Sequence, residues 1–189
     1  MAPRMLAPRM LAPFRSEPQL EGLQLQATAT WDGAVLSLHY GLCGALAAWR
    51  LPPPAAQPAR RDGLWQSTCF EAFFGVPGQP QYWEINLAPS GDWNLYALSA
   101  YREGLRPEPA VSRLPFRLVR PDAWPDPSAT QELQLSFELD LRSLIKAAAP
   151  LELSATAVLD HREHGCSYWA WRHTGQEADF HRRDSFLPL

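Results

Sequence analysis

The sequence predicts an all-β protein, a two-sheet antiparallel β-sandwich with at most one short helix. Three observations predict it. Apolar residues recur at every second position in one segment after another, the signature of half-buried strands. Turn chemistry such as Asp32-Gly33 and Pro89-Ser90-Gly91 separates those segments. Nineteen prolines in 189 residues fall mostly between the periodic segments, which suits loops and strand ends and disfavours long helices.

The elements follow in order. Residues 1–18 repeat an APRML string, too briefly for a repeat architecture, and are expected to form a disordered tail. Residues 19–189 then make one β-sandwich domain. Leu23, Leu25, Ala27, Ala29 and Trp31 alternate with Gln24, Gln26, Thr28 and Thr30, and after Asp32-Gly33 the partner strand returns from Val35 to Tyr40. The proline-rich stretch 50–63 is a surface connection. Strands are expected at 67–75 and 81–88 around a Val76–Pro80 turn, then at 92–102, 113–120, 133–141, 151–160 and 167–173. Only 141–149 invites a helix, with Asp140 as N-cap and Pro150 as the stop.

Composition excludes several classes. With 46% apolar residues the chain has material for a core. A net charge of −3 without a basic stripe argues against a nucleic-acid partner, since phosphate neutralisation supplies most of that affinity. No stretch approaches the roughly 20 apolar residues that span a bilayer. The opening residues interleave Arg and Pro with apolar ones and form no signal-peptide core, so a cytoplasmic protein is expected. Cys43, Cys69 and Cys166 are odd in number and lack paired spacing, as packed thiols do. Eight tryptophans are the informative excess, enough for a core layer and a binding platform together.

The segment 64–102 carries the most chemistry. In a hairpin of 67–75 with 81–88, Phe70, Ala72 and Phe74 share the core face with Trp83, Ile85 and Leu87. Glu71, Phe73, Tyr82, Glu84 and Asn86 then share the opposite face. Trp65 precedes this hairpin, and Trp93 and Arg102 follow it. Trp169, Trp171 and His173 form a second group, on one face if 167–173 is a strand. Indole faces stack on the C–H surface of a sugar, while carboxylates, amides and Arg pair with hydroxyls. Trp65, Glu71, Phe73, Glu84, Asn86, Trp93, Arg102, Trp169, Trp171 and His173 are therefore the candidate ligand-binding residues. Core packing and cross-strand pairing are the competing roles for any one of them.

Three separated strings, LWQSTCFEAFF, YWEINLAPSGDWNLYALSAYREG and SYWAWRH…DFHRRDSFLPL, resemble a bacterial DOMON-like family related to family 9 carbohydrate-binding modules. The resemblance runs from about Val35 to the C-terminus. It implies a two-sheet sandwich whose relatives bind sugars or haem. It also implies that Trp65 and Glu71 match a clamping tryptophan and its glutamate, Arg102 an arginine, and Trp169 or Trp171 a second clamp. Sugar-binding relatives are attached to secreted glycanases, and this chain shows no export signal, so a small intracellular sugar fits better than a polysaccharide.

The function expected is non-catalytic binding of a saccharide or related small polar ligand, with no cofactor. The alternatives are a haem or electron-transfer domain, a glycoside-active enzyme using Glu71 and Glu84, and a protein-interaction sandwich. Met1, Met5 and Met10 all lie in the expected tail, which leaves haem to pairs drawn from His39, His161, His164, His173 and His181. No histidine spacing matches a zinc pattern. No glycine loop or nucleophile elbow marks another chemistry.

Overall fold

A computed structural model describes residues 3–121 and 129–189. Among these, thirteen strands build two antiparallel sheets. The strands are β1 (Arg4–Met10), β2 (Ala12–Pro13), β3 (Gln24–Trp31), β4 (Val35–Gly44), β5 (Cys69–Gly75), β6 (Tyr82–Leu87) and β7 (Trp93–Leu98). They continue with β8 (Arg106–Pro107), β9 (Phe116–Val119), β10 (Gln131–Asp140), β11 (Glu152–His161), β12 (Gly165–Ala170) and β13 (Leu187–Pro188). One sheet runs β1-β3-β4-β10-β9, and the other β2-β12-β11-β5-β6-β7-β8, with β13 paired to β11. This is the expected β-sandwich.

The alternating rows decide how the sheets meet. Leu25, Ala27, Ala29 and Trp31 from β3 and Leu133, Leu135, Phe137 and Leu139 from β10 face inward from the first sheet. Phe70, Ala72, Phe74, Trp83, Ile85 and Leu87 face them from the second, as the hairpin pattern requires. Tyr40 spans the core: its hydroxyl, fully buried, donates to the Glu71 carbonyl at 2.6 Å and fixes β5 against the first sheet.

Two segments differ from expectation. Residues 4–10, expected as part of a disordered tail, pair with β3, and residues 12–13 pair with β12. The chain changes sheet at Leu11, which is buried and whose amide donates to Leu25 O at 2.8 Å. One buried leucine between two short ladders anchors a segment whose other side chains are mostly exposed, so composition alone reads as tail. Residues 141–149 form turns instead of a helix. Asp140 caps only the Arg142 amide, at 3.0 Å, and Ala148 adopts a left-handed φ of 60° that ends any helical run. Among the described residues no helix is long and apolar enough to cross a membrane.

Candidate binding site

The outer face of the second sheet is unusually polar for a surface this well covered. Register sets Thr156, Glu71, Asn86 and Asn94 in one row across β11, β5, β6 and β7, and Ser154, Phe73, Glu84 and Tyr96 in the next. Glu71 and Glu84 are thus diagonal neighbours. All of these residues are buried.

The cover comes from the carboxy-terminal segment. Phe186 packs with Phe73, Tyr82, Tyr96 and Leu98 into a second small core, with Phe180 at its margin. Arg183 clamps the segment down: its guanidinium pairs with Glu152 and donates to Gln81 O and Val76 O, both at 3.1 Å. Gly75 makes room for that guanidinium, since a Cβ there would stand 2.8 Å from Arg183 Nη1. At the other end Asp179 accepts from Arg102 Nη2 at 2.9 Å, from the Tyr101 hydroxyl, and from the His181 amide at 3.0 Å. The proline-rich connection runs elsewhere, along the rim, where Asp62 accepts from Asn94 at 2.9 Å and Tyr96 at 2.8 Å.

Between cover and sheet a cavity of about 350 Å³ remains open. Glu71, Phe73 and Glu84 line it from the sheet, with Leu98 and Val158 beside them. Its other walls include Trp65, Arg102, Tyr168, Phe180 and His181. Trp65 stands on a 3₁₀ turn, Leu64–Gln66, entered through Gly63 at φ 75°, and its ring meets Tyr96 edge-on at 5.7 Å. At 37% exposure its indole is the accessible one.

The floor is electrostatically unsatisfied. Glu71 Oε1 has no hydrogen-bond partner within normal distance, Oε2 has the Thr156 hydroxyl at 3.4 Å, and the Cys69 thiol adds a weak donor to the same carboxyl. Burial pushes the Glu71 carboxyl well above the usual carboxylate range, and the Glu84 charge pushes it further. Glu84 is raised too, by burial, against the opposing pull of the Asn86 amide at 2.8 Å and of Arg102. His181 is pushed down to about 4, by burial first and then by Arg102. Its Nδ1 lies 2.8 Å from the Tyr82 hydroxyl. That hydroxyl accepts from the Arg102 amide at 3.2 Å, so its own proton goes to Nδ1. The neutral ring then presents Nε2–H toward Glu84 Oε2, 4.0 Å away.

Of the ten sequence candidates, the structure brings Trp65, Glu71, Phe73, Glu84 and Arg102 to this cavity. Asn86 lies under its edge, fully buried, holding Glu84. The other four are placed elsewhere. Trp93 pairs with Leu87 in the inward row, with the Arg60 guanidinium 4.5 Å from its ring. Trp169 pairs with Ala157, also inward, and its Nε1 donates to Ser167 Oγ at 2.9 Å. The strand expected through 173 ends at Ala170, so the shared face of Trp169, Trp171 and His173 does not form. Trp171 packs at the core margin, and His173 reaches Ala12 O at 2.9 Å and Phe14 edge-on, fastening the amino-terminal strands. Tyr168 and Phe180 are wall residues that were not among the candidates; Tyr168 faces outward by alternation with the inward Trp169. Trp124 lies outside the described residues.

A second depression, about 540 Å³, lies on the outer face of the first sheet among Thr28, Ser37, His39 and Ser136. None of the buried polar atoms without a partner lies there, so it has no comparable demand for a ligand. Among the described residues no group of three or more His, Cys, Asp and Glu side chains is placed to hold a metal ion.

Fold and cavity together define a β-sandwich with a walled, polar-floored pocket on one sheet. No model of a known protein family matches the chain, and no curated protein matches it in sequence. Among solved structures it is similar in fold to a "putative carbohydrate-binding protein" from Bacteroides uniformis ATCC 8492, with a TM-score of 0.68 and 12% identity. The superposition covers 97% of this chain and 85% of that one.

Proposed function

We propose that the protein is a non-catalytic binding domain for a saccharide or a related small polar ligand, held in the Trp65–Glu71–Glu84–Arg102 pocket. The observation that carries this reading is Glu71 Oε1, a buried acceptor without a donor on the floor of a cavity walled by aromatic rings. A ligand with hydroxyl or N–H donors supplies what that atom lacks, and its C–H face suits Trp65. The carbohydrate-binding description of the Bacteroides neighbour and the DOMON-like strings of the sequence support the same assignment. Three thiols without disulfides suit a reducing compartment, so the proposal includes a cytoplasmic setting.

A catalytic reading has a specific observation in its favour, a cleft beside raised carboxyls. Yet glycosidase carboxyls flank the scissile bond, one charged and one protonated. Glu71 and Glu84 stand side by side on one floor and are both pushed toward the protonated form.

The test is a tryptophan-fluorescence titration with mono- and oligosaccharides, repeated on Trp65→Ala. A saturable change, weakened at least about tenfold by the substitution while the melting curve is kept, is expected. Binding that survives Trp65→Ala unchanged would move the site away from this pocket.

A further inference from the structure

Among the described residues neither carboxyl on the pocket floor is ion-paired to an Arg or Lys, and Arg102 acts on Glu84 only from beyond ion-pair distance. Glu71 is 2% exposed and Glu84 5%. Among the described residues the nearest basic groups are engaged or neutral. Arg102 lines the cavity with its guanidinium on Asp179, and the His181 ring, held by Tyr82, stays 4.0 Å from Glu84. Two acceptors opposite each other in register, Glu71 Oε1 and Asn86 Oδ1, have no donor, while the other unpartnered buried groups, the Ser154 hydroxyl and Trp171 Nε1, belong to residues outside the cavity lining. Trp65, Tyr168, Phe180 and Phe73 put aromatic rings around the same cavity.

An ammonium group answers each of these features. It brings three N–H donors and no acceptor, it carries the missing charge, and its polarised C–H shell suits ring faces. A neutral hydroxyl brings one donor together with lone pairs that this floor does not need. We propose that the pocket takes a saccharide bearing a free, protonated amine, with the ammonium over Glu71 and Glu84 and the sugar ring against Trp65. This rests on the reading of the cavity as a saccharide site and names the chemical class of its ligand. Arg102 and Asp179 then stand at the mouth as a neutralised pair beside the ring hydroxyls.

The charges facing the ammonium are Glu71, Glu84, His181, Arg102 and Asp179, with the Tyr82 hydroxyl behind them. Of these only the two floor carboxyls change charge in the acid-to-neutral range on the ligand's account. The cation favours their ionised forms, so binding is expected to release protons and to tighten as the pH rises.

The experiment is calorimetric titration with glucosamine oligomers, their N-acetylated counterparts and cello-oligomers of equal length, at about pH 5 and about pH 7. The free-amine series is expected to bind at least about tenfold tighter than either neutral series at pH 7, with the gap narrowing at pH 5. Glu71→Gln should weaken the free-amine series at least about tenfold more than either neutral series, which erases the preference; Glu84→Gln repeats the test should the first variant fold poorly. N-acetylated or cello-oligomers binding as tightly as the amine overturns this proposal and leaves the saccharide reading standing. Silence from all three series at millimolar concentration overturns both.

Discussion

Replacing Glu71 by Gln should stabilise the protein, and by an amount that grows with pH. The carboxyl is buried, its only side-chain oxygen donor is Thr156 at 3.4 Å, and a second carboxyl is its diagonal neighbour. Its raised folded-state value means that the stability it contributes is present below the unfolded value of about 4.3 and is lost as pH rises. Each unit of separation costs about 1.4 kcal/mol once the pH exceeds both values. A Gln in the same place avoids that cost and sets an N–H₂ opposite the empty Asn86 Oδ1. With Glu71 ionised the gain is about 2 kcal/mol, the usual cost of an unsatisfied buried polar group, and it falls toward zero as the pH drops to where Glu71 is protonated in both states. For a chain of this size that is a rise of about 4–8 °C in Tm at the higher pH. Urea titrations of both proteins at several pH values read it directly. A variant destabilised equally at pH 4 and pH 8 would refute the claim that Glu71 is an uncompensated buried acid.

Other consequences are open to measurement. His181, pushed down to about 4, should show no imidazole protonation by NMR above about pH 5, and His181→Gln should flatten the loss of stability between about pH 6.5 and pH 4. An imidazole titrating near its ordinary value would place the ring in water. Phe73→Ala should cost about 3–5 kcal/mol, because its ring packs between Phe180, His181 and Phe186. Hydrogen exchange at 178–186 should quicken with it, and a loss under about 1 kcal/mol would mean the cover is held without that contact.

Much of the fold is legible in the sequence because period-two alternation survives the tertiary structure almost unaltered. The row Leu133, Leu135, Phe137, Leu139 faces inward as the pattern dictates, and the β5–β6 hairpin sets Glu71 and Glu84 on one face. What alternation cannot supply is where a strand stops. β12 ends at Ala170, and one such terminus removes Trp171 and His173 from the face expected for them. Nor does alternation say which side of β12 meets the cavity: Trp169 faces the core and Tyr168 the cavity. Tryptophan abundance misleads for a related reason, since Trp31, Trp49, Trp83, Trp93 and Trp169 are core or near-core residues. The pocket's cover rests on contacts far apart in sequence, such as Arg183 to Val76 O and Arg102 to Asp179, which local patterns do not encode.

The amino-terminal strand has a role that its exposed side chains obscure. Without it β3 would present an eight-residue row of amides and carbonyls at the margin of the first sheet, ready to pair with another molecule. β1 occupies that row and turns outward a strand of another character, carrying Arg4 and Arg9, interrupted by Pro8 and slipped in register between Leu6 and Arg9. Such a margin makes a poor template for further strands. The pocket floor owes these residues nothing directly; what they supply is cover for the margin of the opposite sheet.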